Sequence, residues 1–239
     1  MSGVDSLLGT YDEVQVNFMK EECILVDKQD QIIGHASKYE CHKADSIKDG
    51  MLHRAFSVFL FNSEGKLMLQ QRADEKITFP SRWTNTCCSH PLYFKEEMVE
   101  TNAEGVKRAA VRKLKHELGI DEIRMEDLHF LTKIHYLAMS DDQWGEHEVD
   151  WILFAKKDVK FNLNANEVKD VQFVDMEELK EMVANSTATD QKKTFITPWF
   201  NLISENMLLP WWKNLDEIIK NGGLTDELKG NVKDVNYLE

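Results

Sequence analysis

Positive charge is what this 239-residue sequence is short of: 29 Lys and Arg stand against 42 Asp and Glu, a formal net charge of −13. A general nucleic-acid binder needs a basic face to meet phosphates, so that class is excluded as the main activity. A small anionic ligand is not excluded, because a few cations inside a pocket outweigh the global charge. Proline (4) and glycine (11) are too scarce for a disordered or fibrous chain, and 42% hydrophobic residues suffice for a core. No run approaches the ~18–20 apolar residues of a membrane span. The start, Met1-Ser2-Gly3-Val4-Asp5, lacks the basic and apolar stretches of a secretory signal. Four cysteines, two of them adjacent at Cys87-Cys88, make a poor disulfide framework. A globular, cytoplasmic protein with reduced thiols is expected, built as one large domain with or without an appendage.

What is present is periodic. Cys23–Asp27 reads as a strand, and His53–Phe61 (HRAFSVFLF) is apolar and aromatic. The turn Asn62-Ser63-Glu64-Gly65 leads into Lys66–Arg72, which predicts a hairpin. Val106, Ala109, Ala110, Leu114 and Leu118 recur at helical spacing, and Gly119 stands where a C-cap belongs. Strand-like runs follow at Phe130–Tyr136 and His147–Ala155, then a helix near Met176–Ala184. Thr197-Pro198 predicts a helix start, with a capping hydroxyl before proline at the first helical position. Strands first, a helix between them and helices to close describe a mixed α/β sandwich.

Three groups of residues carry chemistry. His42, His53 and His90 fall beside turns or strand starts, although isolated histidines are common on surfaces and in cores. In Glu146-His147-Glu148, a strand's period of two puts both carboxylates on one face, where they repel unless a cation or proton lies between them. Three imidazoles and two carboxylates suit a divalent metal such as Zn²⁺ or Mn²⁺. A solvated acidic strand edge explains Glu146 and Glu148 equally well. The second group is Trp83–Pro91, where cysteine beside His90 points to a thiolate, a proton-transfer group or a metal ligand. A buried pair of small apolar residues is the alternative. The third is Lys38, Arg72 and Lys76, which together suit a diphosphate but singly are ordinary surface cations.

From Met98 to Ile120 the spacing matches the Nudix box, Gly-x5-Glu-x7-Arg-Glu-U-x-Glu-Glu-x-Gly-U, but in an eroded form. Met98 replaces the box glycine, and Lys113 and His116 replace two glutamates, while Glu104, Arg112, Glu117 and Gly119 remain. Around the box stand Cys41-His42, Gly50–Ser57, Gln70-Gln71-Arg72, Thr84–Pro91, Trp144–Glu148 and Thr197-Pro198-Trp199-Phe200. This ordered set, spread from about Cys23 to Trp212, resembles the type I isopentenyl-diphosphate isomerases, the Nudix-fold branch of that activity.

The resemblance implies a Nudix-type α/β/α sandwich with a mixed sheet and C-terminal helices over residues 23–222, a lead at 1–22 and a tail at 223–239. It implies interconversion of isopentenyl and dimethylallyl diphosphate in isoprenoid biosynthesis. Cys88 would be the catalytic cysteine, opposed by Glu148 and assisted by Tyr136. His42, His53, His90, Glu146 and Glu148 would hold one divalent metal (Zn²⁺, Mn²⁺ or Mg²⁺), and Glu117 a Mg²⁺ bridging to the substrate. Lys38, Arg72, Lys76 and Ser89 would hold the diphosphate, with Trp199 at the hydrocarbon end. Trp199, Trp211 and Trp212 are expected to form a lid that excludes water. The partner is a small prenyl diphosphate, with no nucleic acid and no membrane, and a monomer is favoured. Two other classes are a Nudix-type diphosphate hydrolase, opposed by Lys113 and His116, and a non-catalytic metal-binding module.

Overall fold

The computed structural model describes residues 8–187, 195–229 and 236–237. The first seven residues of the expected lead, and residues 230–235 and 238–239 of the expected tail, lie outside them. Strand β3 (His53–Phe61) is buried at every position, as a run of apolar and aromatic residues covered on both faces must be. Its partner on one side is β8 (Gly145–Lys156), paired in parallel from His53 opposite Glu148 to Phe61 opposite Lys156. Antiparallel to β8 runs β7 (His129–Met139), with Tyr136 opposite Glu148. On the other side β1 (Glu22–Val26) meets β3 at Leu25 and His53 and continues to β2 (Ile32–Ser37). Beyond β7, Asn236–Tyr237 add a short parallel strand.

The expected hairpin closes at a single pair, Phe61 opposite Leu67, and then splays. Strand β4 (Leu67–Arg72) instead pairs with β9 (Val168–Val174) and with β5 (Trp83–Thr84). Strand β6 (Cys87–Ser89) takes the place beside β3. The cavity described below is lined by Arg72 at the end of β4 and by Cys88 and Ser89 of β6.

Side-chain alternation along the strands divides the core in two. Phe56, Val58 and Leu60 of β3, with Trp151 and Leu153 of β8, pack on the helix Glu104–Leu118 through Val106, Ala109, Ala110 and Leu114. Phe59 and Phe61 of β3, with Ile152 and Phe154 of β8, meet the C-terminal helices through Phe200, Ile203, Leu208, Trp211 and Ile218. The layers are therefore helix, mixed sheet and helix. The same alternation sends Cys87 toward the first cluster and Cys88 toward the second.

Part of the expected lead is built into this body. Helix Glu13–Phe18, capped by Asp12, lays Gln15 onto Asn166 and Glu167, and Trp144 Nε1 donates to Tyr11 Oη at 3.0 Å. Leu224, past the expected domain end, is buried in the second cluster. The Glu104–Leu118 helix begins in tight quarters. Asn102 and Ala103 adopt left-handed conformations, and a Cβ on Gly105 would lie 2.3 Å from the Glu97 carbonyl oxygen. Gly105→Ala is expected to cost about 1–3 kcal/mol, seen as a lower urea midpoint at unchanged slope; an unchanged midpoint would mean the 97–103 loop yields freely.

Candidate active site

The parallel register of β3 and β8 brings His53 beside Glu148, and β6 ends just before His90. His53 Nε2 and His90 Nε2 donate to Glu148 Oε1 at 3.1 and 2.8 Å. The third imidazole comes from the short helix Lys38–His42, capped by Ser37. His42 Nδ1 donates to the Lys38 carbonyl at 2.8 Å, which turns the ring's other nitrogen toward His53 and His90, at ring distances of 4.9 and 5.0 Å. His42 Nε2 and His53 Nδ1 are buried without a hydrogen-bond partner. One donor atom from each of His42, His53, His90 and Glu148 lies within 4.8 Å of the others. Three imidazoles and one carboxylate, with an orphaned buried nitrogen among them, fit a divalent metal. Glu146 stands outside this group of four.

The electrostatics keep the nest ready for a cation. Burial holds His42 well below the usual imidazole range, and burial also pushes His90 down to about 3, so both are neutral. Burial alone would raise the Glu148 carboxyl, but hydrogen bonds from His53 and His90 outweigh it and keep the group ionised. Burial and then the Glu148 charge push Glu146 up to about 7. Burial disfavours the His53 imidazolium, yet negative charge at Cys41 and the Glu148 hydrogen bond raise it. Tyr136 Oη donates to Glu146 Oε2 at 3.0 Å and to Glu148 Oε2 at 2.5 Å, and burial with these carboxylates raises the phenol well above its usual range.

These groups open on a small cavity lined also by Lys38, Arg72, Lys76, Cys88, Ser89, Glu117 and Trp199. Every site residue expected from the sequence lines it except His53, which stands behind Glu148. Arg72 is fixed by the loop that follows β4: Nε donates to the Phe79 carbonyl at 3.0 Å and a terminal nitrogen to the Thr78 carbonyl at 2.7 Å. Phe79 (φ 47°) and Ser81 (φ 62°) hold left-handed conformations on either side of Pro80, local strain of the kind that collects at functional sites. Glu117 accepts from Lys113 at 3.1 Å and from Gln70 at 3.2 Å, so a lysine of the eroded box lies on the retained box glutamate. Cys88 lies 3.8 Å from Thr84 Oγ1, and burial, against the pull of Arg72, raises its thiol to about 12.

Two sequence expectations are corrected. Trp211 and Trp212 line no part of the cavity; they pack edge-on against Phe154 and Phe61, and Trp212 Nε1 donates to the Gly65 carbonyl at 2.7 Å. Their apolar area is spent on the core beneath the C-terminal helices. Thr197 starts its helix (Pro198–Ile203) without a side-chain cap bond, and its hydroxyl donates to Thr84 Oγ1 at 2.8 Å. Thr84 in turn donates to Asn85 Oδ1, which accepts the Trp199 indole at 3.1 Å. The Trp199 ring is thereby set 5.8 Å from the Arg72 guanidinium and 5.9 Å from the Tyr136 ring.

Several supporting residues carry no sequence signal of their own. Thr78 joins Arg72 to Glu146, accepting from the first at 3.2 Å and donating to the second at 3.1 Å. Asn85 aims Trp199. Glu97 pairs with both Nε and a terminal nitrogen of Arg112, which also donates to the His90 carbonyl at 3.3 Å. Arg112 belongs to the box, so its role was searchable, but its partner was not.

A family model described as a NUDIX domain matches residues 51–197. The chain is 54% identical to the isopentenyl-diphosphate delta-isomerase IDI1 of Gibberella zeae, over 87% of this chain and 82% of that one. It is 53% identical to the isopentenyl-diphosphate Delta-isomerase of Dictyostelium discoideum, over 87% and 88% of the two chains. With isopentenyl-diphosphate Delta-isomerase 1 of Bos taurus the identity is 52%, over 87% and 91%. The chain belongs to the isopentenyl-diphosphate delta-isomerase family. As a member of that family it carries the Nudix sandwich with an eroded box, and Lys113 sits where a hydrolase's box has a glutamate.

For this isomerase-family site, the proton that the Glu148 hydrogen bond favours on His53 must leave when a divalent cation enters. Because the His53 imidazolium is favoured, Mn²⁺ affinity is expected to fall as pH drops, to about tenfold weaker at pH 6 than at pH 8. Titrations at the two pH values check this, and equal affinities would contradict it.

Proposed function

We propose that this isomerase interconverts isopentenyl and dimethylallyl diphosphate by adding a proton to one allylic end and removing one from the other. The observation that carries the reading is the meeting, in one cavity, of a half-buried thiol, a carboxylate–phenol pair and three cations. An alkene is a feeble base, so its protonation passes through a tertiary, carbocation-like state. One of the two proton-transfer groups, Cys88 or the Glu148–Tyr136 pair, delivers a proton at the terminal carbon. The other takes one from the neighbouring methylene, and the reverse reaction exchanges the roles. Near neutral pH the Glu146–Glu148 pair shares a proton, because the two buried carboxylates cannot both be ionised cheaply.

Arg72, Lys76, Lys38 and Ser89 hold the diphosphate, Arg72 as a fixed fork and the lysines as point charges. The Trp199 face, aimed by Asn85, stabilises the developing cation by about 0.5–2 kcal/mol. Substrate seated against Trp199 and Tyr136 must keep water from trapping that cation as an alcohol. A divalent metal held by His42, His53, His90 and Glu148, with Glu146 beside it, would supply Lewis acidity that tunes the Glu148 carboxyl. Glu117 presents one hard oxygen site, which suits a Mg²⁺ completed by substrate phosphates. The four thiols are free, in keeping with a reducing compartment, and the cytoplasm is the proposed location, with the monomer as the working unit. No helix among the described residues is long and apolar enough to cross a membrane.

The test is turnover of isopentenyl diphosphate in deuterated water with Mg²⁺. Deuterium is expected in dimethylallyl diphosphate, with turnover lost on chelation; released phosphate without isomerisation would make the chain a hydrolase. Alternation along β6 adds a sharper comparison. Cys88→Ala is expected to lower kcat by at least about 10²-fold while Cys87→Ala keeps most activity. The opposite order would exchange the roles of the two cysteines.

A further inference from the structure

Lys76 presents a problem that the cavity alone does not solve. Lys38, Arg72 and Lys76 converge on one small space, and three cations held together repel one another before any substrate arrives. Arg72 is anchored by carbonyls, but Lys76 sits on a flexible stem in the turn Ala73–Lys76. A single residue grips that turn at both ends. The Glu167 carbonyl accepts from the Ala73 backbone at 3.0 Å, and Glu167 Oε2 accepts from Lys76 Nζ at 2.8 Å. Glu167 is only 2% exposed, outside the cavity lining, and immediately before β9. Its other oxygen accepts from Gln15 Nε2 at 2.9 Å, and Lys113 approaches Oε2 at 3.7 Å.

We infer that Glu167 is a positioning residue for substrate binding, fixing Lys76 against the cavity from behind so that the remaining ammonium protons face the diphosphate. The inference rests on the reading of Lys76 as a diphosphate ligand. A buried carboxylate with two oxygens committed to Lys76 and Gln15 is itself held, so the lysine is ordered before binding rather than by it. Ordering a long side chain in advance lowers the cost of association. It also offsets the repulsion from Lys38 and Arg72 with a negative charge that never competes for the substrate side of the ammonium. Glu167 therefore acts on affinity and not on proton transfer, whose groups lie around Cys88 and Glu148.

The experiment is a cycle of Glu167→Gln and Lys76→Met, reading KM and kcat for isopentenyl diphosphate and the inhibition constant of inorganic pyrophosphate. Glu167→Gln is expected to raise KM and the pyrophosphate constant about tenfold, with kcat changed less than about threefold. In the Lys76→Met background it should add nothing further. Unchanged constants, or the same penalty with and without Lys76, would overturn the inference. If Glu167→Gln does not fold by circular dichroism, Glu167→Asp, which keeps the charge and shortens the reach, enters the same cycle with the same criteria. A wild-type chain that binds pyrophosphate through Glu167 but never turns over isopentenyl diphosphate would sink the proposed function and leave this inference standing.

Discussion

A carboxylate buried to 4% exposure must find partners, and Glu148 finds them in every direction. His53 and His90 donate to one oxygen and Tyr136 to the other, and the unpartnered His42 nitrogen faces the same point. Each partner comes from a different element: β3, the loop after β6, and β7. Satisfying this one charge therefore ties three separate parts of the chain to a single point on β8. The parallel β3–β8 register supplies the first contact and the antiparallel β7–β8 register the second. A shift of one residue in either strand would send Glu148 to the opposite face of the sheet.

The same economy governs the cationic side. A strongly acidic chain concentrates Lys38, Arg72 and Lys76 on one cavity and balances Lys76 from behind with Glu167. The strained loop at Phe79–Ser81 turns its carbonyls inward to hold Arg72, and Thr78 carries the connection on to Glu146. The cations and the carboxylates of the cavity are thus joined by hydrogen bonds rather than merely adjacent.

The helix Glu104–Leu118 shows how a box can lose one chemistry and keep its architecture. In a Nudix hydrolase its glutamates hold Mg²⁺ and activate water. Here Arg112, paired with Glu97, braces the carbonyl of His90, and Lys113 lies on Glu117 and near Glu167. The helix now braces the histidine–glutamate group on the strands, and Lys113 stands where a hydrolase's box has a glutamate.

The sequence by itself determined the family, the sandwich and nearly all of the cavity's lining, because those residues sit in short strings whose order survives without coordinates. Periodicity sufficed for β3, β8 and the box helix, where a continuous core face repeats at 2 or 3.6 residues. Tertiary structure decided what depends on meeting across long separations. Whether the strands around Asn62–Gly65 stay paired is settled by β9, about a hundred residues away, which outcompetes β3 for β4. Whether Trp211 and Trp212 cover the site or the core is settled by where the C-terminal helices land. Glu97, Asn85, Thr78 and Glu167 look like ordinary polar residues along the chain, because a supporting role consists only of the partner each one reaches, and no local pattern encodes that partner.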